Sequence, residues 1–364
     1  MHVTRYHYEG DSATTNIVLT KSRDYQDMSV RPRVRETPVP LVGCAFSGEK
    51  RWRRNPNYED FSITSQVWVN TDVATGMFVY SAYYDYDVDD ENNTVPFIRI
   101  IGVGTTSAQH HLVCVVQWSV NSTCLEERQA RVEILPENKN KRYTVLFVIC
   151  NISGSDRRNP YAVSITGENS TYLANRLLVK YPEPFRYNLT VCFPAIHSKY
   201  NNETESIQTM EVDQLLGVEH FVIYNLSIGA RVQAILNYYR NQGILDVKAW
   251  NMPVTDIHYF GQMAVINDCI YSNRGRSIYI IVKDLDEFLV PYKDKTLPRL
   301  INSMLTHKPK TGVILFRHSL FHLQWPDDVA KFKDGQSAKQ LQLYTLLKVW
   351  RENLIMIECR VLEV

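Results

Sequence analysis

The sequence contains no run of about 18 apolar residues, so nothing in it reads as a bilayer-spanning helix. Its first forty residues also lack the apolar core of a secretory signal. The 7 cysteines include no C-x-x-C pair, which leaves a zinc ribbon or a thioredoxin-like motif without its ligands. There is no phosphate-binding G-x-x-x-x-G-K-[ST] loop, no G-x-S-x-G elbow and no H-E-x-x-H helix. His318 and His322 are four apart, but they fall in a strand-like segment without that motif. GVGTTS at Gly102–Ser107 lacks the third glycine and the following helix of a dinucleotide fingerprint. Neither sign of charge is in excess. Lys and Arg number 40 against 39 Asp and Glu, a net charge of +1, whereas a nucleic-acid binder usually carries a basic surplus. Nucleic acid is therefore not expected as a partner.

What is present fits a two-domain globular protein. The 364 residues are 45% hydrophobic and 22% charged. Asn-x-Ser/Thr sequons occur at Asn92, Asn121, Asn151, Asn169, Asn188, Asn202 and Asn225. Composition alone would give roughly two, and the sequon accepts glycan only in the secretory pathway. In that compartment Cys114–Cys124 and Cys150–Cys192 are candidate disulfides, although spacing does not fix connectivity.

Residues 1–40 are polar, carry Pro32, Pro38 and Pro40, and read as a disordered leader. Residues 41–176 form a series of short apolar runs separated by turn-formers, the pattern of a β-rich domain. Residues 177–364 then alternate buried-strand runs (EHFVIYN, ILDVKAW, SIYIIVK, TGVILFRH) with helical stretches of 10–15 residues. That rhythm predicts an α/β domain with a mostly parallel sheet.

The chemistry is concentrated in SIYIIVKDLDEFLVP at Ser277–Pro291. A core strand runs into Asp284, Asp286 and Glu287, and an uncompensated charge at the end of a buried strand is costly. Such carboxylates must be paired, solvated or bound to a cation, and oxygen-only ligands suit Mg²⁺ or Mn²⁺ carrying a substrate's phosphates. At the carboxyl edge of a parallel sheet this is the ligand-binding position. Asn225 ends an earlier strand at the same edge.

MFVYSAYYD, NLTVCFP, MEVDQLLGVEHFVIYNLS, LNYYRNQGILDVKAW, HYFGQMAVINDC and KDLDEFLVP followed by TGVILFRHS occur in order over residues 77–325. Together they resemble glycosyltransferase family 92. The resemblance implies a GT-A type, Rossmann-like fold and inverting transfer from a nucleotide-sugar donor, UDP-galactose in studied members. It also implies Mn²⁺ (or Mg²⁺), a glycoprotein or glycolipid glycan as acceptor, and a Golgi location through a membrane anchor that this sequence does not show. Carried onto this sequence, it gives Asp284 and Asp286 the metal, Asp284 a part in holding the donor, and Gln262, Asn267 and Asp268 the donor, with a polar helix end packing on the loop as their alternative; Asn225 is a donor candidate from its place at the strand edge. Glu211 matches a further acid, with a capping or salt-bridge role as the alternative. An inverting transferase needs a general base. Asp327 and Asp328 are the candidates. Past QLQLYTLLKVWRENL the family continues into a basic stretch and a later histidine, where this sequence reads IMIECRVLEV. A shortened C-terminus is therefore expected, with an inactive glycan- or nucleotide-sugar-binding relative as the alternative function. A third reading makes the β-rich domain a carbohydrate-binding module presenting Tyr80, Tyr83, Tyr84, Tyr86 and Trp118.

Overall fold

The computed structural model describes residues 18–21, 52–54, 63–72, 76–89, 93–107, 111–120, 125–154, 159–291, 293–307, 311–316, 319–320, 324–329, 335–340, 352–353 and 362–363. They fall into two compact units. The first draws on Asp24–Glu183 and Trp250–Ser272, the second on Asp11–Arg23, Pro184–Ala249 and Asn273–Val364. His318 and His322 lie outside the described residues.

The chain's first described strand, β1 (Val18–Lys21), belongs to the second unit. The first unit supplies β2 (Arg53–Arg54), β3 (Val69–Asp72), β4 (Met77–Val88), β5 (Thr94–Thr105), β6 (Leu112–Gln117) and β7 (Leu125–Ile134). It continues with β8 (Tyr143–Asn151), β9 (Ala162–Gly167), β10 (Tyr172–Leu173) and β11 (Leu177–Lys180). The second unit resumes with β12 (Tyr187–Ile196), α1 (Glu203–Leu215), β13 (His220–Asn225), α2 (Ala230–Asn241) and β14 (Leu245–Ala249). The chain returns to the first unit for α3 (Gln262–Ser272). Then come β15 (Ser277–Val282), α4 (Leu297–His307), β16 (Thr311–Leu315), β17 (Ser319–Leu320), α5 (Gly335–Gln340), β18 (Glu352–Asn353) and β19 (Leu362–Glu363).

The expected GT-A type, Rossmann-like, mostly parallel α/β fold is overturned. Seven strands of the first unit close into a β-barrel in the order β11-β9-β6-β7-β8-β5-β4, shut by the β11–β4 pairing. All its ladders are antiparallel except that parallel closure. The seven-stranded sheet of the second unit is mixed. β14-β13-β12-β15 run parallel, whereas β15-β1-β16-β19 pair antiparallel. Strand–helix alternation is a local signal and holds only for the parallel part. The antiparallel edge uses β1, from a stretch read as a disordered leader, and its pairing with Ile281 and Ile314 is a long-range event.

Closure explains why the barrel strands do not alternate cleanly. Met77, Val79 and Ala82 of β4 face a core shared with Ile98, Ile100, Leu146, Val148, Val163 and Leu177. Tyr80, Ser81 and Tyr83 on its other face are buried as well, because Tyr80 meets Trp250 at 4.8 Å and Ser81 donates to Asp268 at 2.8 Å. The proposed aromatic display is corrected accordingly. Tyr80 and Tyr83 are buried, Tyr84 stacks on Tyr181 at 5.1 Å, and Trp118 Nε1 donates to Glu126. Asp85 pairs with the buried Arg99 at 3.0 Å, and that guanidinium lies over Phe147, Phe97 and Tyr271. The observed disulfide is Cys114–Cys150, inside the barrel core, and it replaces both candidate pairings; Cys192 and Cys269 are also in disulfides.

At the amino ends of the four parallel strands, Asp246 joins His220 at 3.1 Å and Arg276 at 3.0 Å. Tyr187 stacks on His220 at 4.4 Å. The hydrogen bond from His220, then the charges of His220 and Arg276, outweigh burial and hold Asp246 below the ordinary carboxylate range. A depressed pKa contributes stability above the unfolded value of about 4, and that contribution is lost as pH falls through the folded value. The Asp246 side chain is 44% exposed, so screening limits its worth to about 1 kcal/mol. Urea unfolding should show Asp246→Asn less stable than the parent at pH 6, with the gap closing towards pH 2.5. A gap independent of pH would refute the assignment.

Candidate active site at the carboxyl edge of the parallel strands

The register of the second sheet places the candidate residues. Cys192 of β12 pairs with both Val222 of β13 and Val282 of β15. Asn225 lies three residues past Val222 and Asp284 two past Val282, so both reach the same edge at nearly the same height. One strand, β12, separates them, which sets a lateral span of about 10 Å. The loops leaving this edge therefore border a space of nucleotide dimensions.

The acid turn is built from below. Lys283, directly after β15, is 1% exposed and forms an ion pair at 3.1 Å with Asp213 of α1, itself 1% exposed. The same ammonium donates to the Glu287 carbonyl at 2.6 Å. Thr209, one turn before Asp213, donates its hydroxyl to the Leu285 carbonyl. The α1 helix thus buries a polar face of Ser206, Thr209 and Asp213 along with Met210. Of the apolar residues at helical spacing in this stretch, Ile207, Met210, Leu215 and Leu216, Met210 is buried whereas Ile207 and Leu215 are 43% and 79% exposed. Buried polar residues at helical spacing, followed by a lysine closing a core strand, were the available signal for Thr209, Asp213 and Lys283.

Above this clamp the three acids diverge. Asp286 is exposed, and Asp284 and Glu287 are half-buried. Glu287 folds back to accept the Asp284 N–H at 2.9 Å, while its own N–H donates to the Asp284 carbonyl at 3.2 Å. Burial, joined by the charges of Asp284 and Asp286, pushes the Glu287 carboxyl up to about 8 despite the Asp284 N–H and Lys283. Burial chiefly, with Glu205 and Asp286 adding, also pushes up the Tyr200 hydroxyl, which donates to Glu205 at 2.9 Å. Glu287 is thus largely protonated at neutral pH, which leaves Asp284 and Asp286 as the turn's two carboxylates beside a Lys283 already paired with Asp213.

That imbalance is the test for a metal. Among the described residues no group of three His, Cys, Asp or Glu side chains is arranged to hold an ion alone. Mg²⁺ and Mn²⁺ do not require one, since such ions are commonly bound through one or two carboxylates with substrate phosphates and water completing the shell. Asp284 and Asp286 fit that shared kind of site.

The other candidates are placed as follows. Gln262, Asn267 and Asp268 lie on α3, in the first unit. Gln262 is half-buried, and Asn267 donates to the Met263 carbonyl at 2.7 Å. The fully buried Asp268 carboxylate accepts from Gln66 at 2.9 Å, Ser81 at 2.8 Å and the Tyr83 hydroxyl, which ties α3 to the barrel wall. Glu211 accepts from the Tyr239 hydroxyl at 2.7 Å and so ties α1 to α2. Asp327 and Asp328 are half-buried.

Residues 187–357 match the model described as Glycosyltransferase family 92. This segment is therefore similar to family 92 domains. It contains the acid turn, the α1 clamp and all four parallel strands. The chain is also similar to the Beta-1,4-galactosyltransferase galt-1 of Caenorhabditis elegans, 21% identical over 242 residues. The alignment covers 62% of this chain and 54% of that protein, so the chain spans about half the length of the curated relative it matches. Among the described residues no helix is long and apolar enough to cross a membrane.

The clamp gives a stability prediction for the second unit. Asp213→Ala strands a buried ammonium and should cost about 3–5 kcal/mol, whereas Asp213→Leu combined with Lys283→Met should cost far less. Chemical denaturation of the three proteins checks this. Equal losses in the single and double variants would show that the pair is not the buried unit described.

Proposed function

We propose that the chain is a metal-dependent glycosyltransferase that moves galactose from UDP-galactose to a glycan acceptor. The carrying observation is the acid turn, held at the carboxyl edge of the parallel strands within the family 92 segment. The name of the worm relative supports galactose as the transferred sugar. In this reading Asp284 and Asp286 hold Mn²⁺ or Mg²⁺, with the donor's diphosphate completing the coordination. The ion supplies Lewis-acid neutralisation of charge on the departing nucleoside diphosphate.

The chain's own residues do the positioning. Lys283 and Thr209 fix the backbone carbonyls at Glu287 and Leu285, so the carboxylates are presented without reorganisation. Asn225, a half-buried amide at the same edge, offers a donor and an acceptor to the nucleoside. Gln262, Asn267 and Asp268 remain proposed donor residues on the resemblance alone; within the first unit Asp268 fixes α3 to the barrel wall. Transfer with inversion requires a base for the acceptor hydroxyl, and Asp327 and Asp328 are the proposed groups. The acceptor is the glycan of a glycoprotein or glycolipid, and the sequons support a Golgi setting.

Calorimetric titration of the full chain with UDP-galactose, with and without Mn²⁺, tests the reading. Binding should need the ion, and Asp286→Ala should weaken it by about tenfold or more, the loss of one charge-assisted contact. Equal binding by the parent and the variant, or binding indifferent to the ion, would remove Asp286 from the site.

A further inference from the structure

The turn that leads into α3 carries the largest concentration of backbone strain among the described residues. Tyr259 (φ 38, ψ 49) and Phe260 (φ 53, ψ 31) are consecutive left-handed aromatic residues, and Gly261 follows at φ 74. Bulky side chains rarely adopt this region, and residues forced into it cluster where geometry is used. The strain is imposed by the first unit itself. The buried Trp250 indole donates to the Phe260 carbonyl at 2.9 Å and is packed edge-on against Tyr80 and Trp68. A Cβ on Gly261 would meet the Met252 methyl at 2.3 Å, a flexible end that can give way, so it is the left-handed φ that favours glycine there.

A second left-handed turn meets the first. Lys139 (φ 45) and Asn140 (φ 61) form the tip between β7 and β8. The Asp256 carbonyl accepts the Tyr143 N–H at 3.0 Å, and its side chain accepts the Arg142 N–H at 3.2 Å. Glu137 lies 3.5 Å from the His258 ring. From this braced junction the Tyr259 ring projects with 53% exposure, its inner edge resting on His258 at 4.5 Å. Burial, with Lys139 and Lys141 adding, pushes His258 down, so at neutral pH its ring is uncharged and can both donate and accept.

We infer that this junction is a carbohydrate contact site, in which a pyranose ring of the glycan acceptor stacks on Tyr259. An aromatic face held rigidly in solvent suits the C–H face of a sugar. The His258 imidazole against the ring, the Glu137 carboxylate beside it and the Lys141 ammonium paired with Asp256 at 3.4 Å supply mixed donors and acceptors for ring hydroxyls. A membrane or an apolar peptide would want a wider apolar surface than Tyr259 and the 36% exposed Phe260 beside it, flanked by charges. The choice of a glycan rests on the glycosyltransferase reading. The contact itself depends only on the geometry of the first unit.

The test uses the full chain and a panel of neutral oligosaccharides ending in galactose, N-acetylglucosamine or mannose, with affinities read by calorimetry. At least one should bind. Tyr259→Ala should weaken it about tenfold and Tyr259→Phe by less than about threefold, since stacking needs the ring and not the hydroxyl. Tyr259→Gly should lose the same affinity while raising the unfolding midpoint, because glycine relieves the left-handed residue. All three should bind UDP-galactose with Mn²⁺ as the parent does. No binding of any panel member by the parent, or unchanged glycan affinity in both Tyr259→Ala and Tyr259→Gly, overturns the site. Tyr259-dependent glycan binding without Mn²⁺-dependent donor binding would keep the site and remove the transferase reading.

Discussion

The ion pair between Lys283 and Asp213 is the constraint on which the second unit's chemistry depends. Two opposite charges, each almost wholly removed from water, are kept at the point where a core strand becomes the acid turn. Burying them is expensive, and an apolar pair of equal volume would be at least as stable. What the pair adds is direction. Lys283 reaches the Glu287 carbonyl while it holds Asp213, so the helix, the strand end and the acid turn share one atom. Thr209 repeats the arrangement one helical turn earlier. The exposed Asp286 can then be presented on a short turn without wandering, as a site for a developing charge requires.

The first unit uses the same physics for a different end. Its barrel has an apolar interior crossed by the Cys114–Cys150 bond. Part of its outer wall, at β4, β5 and β8, is also buried under α3 and the residues before it, through Asp268 and the Arg99 stack. Satisfied buried networks of this kind fix one arrangement more sharply than an apolar contact does. That rigidity supports two adjacent left-handed aromatics at Tyr259 and Phe260.

Much of this was legible in the residues. The strands at His220–Asn225 and Ser277–Val282, the α2 helix and the acid turn follow from local pattern, because a buried strand and an amphipathic helix each announce themselves over a few residues. The mixed sheet was not legible, since its antiparallel half joins β1 to strands some 260 residues later and no local signal encodes that register. Barrel closure was hidden for the same reason: β4 and β11 pair over only Ala82–Tyr83 and Val179–Lys180. The tyrosines of β4 looked like a surface because alternation presumes one wet face, and here α3 covers it. At the site, Asp284 and Asp286 were visible as charges at a strand end. Asp213 and Thr209 were not, because a helix that buries its polar face inverts the usual reading of its periodicity.

The account stands on the acid turn being where a divalent ion and a sugar nucleotide meet. The most direct measurement is anomalous diffraction from crystals of the full chain grown with Mn²⁺ and UDP. The prediction is a manganese peak at coordinating distance from Asp286, with Asp284 beside it and the diphosphate completing the shell. A manganese peak elsewhere, or UDP bound with no metal near residues 284–286, would contradict it.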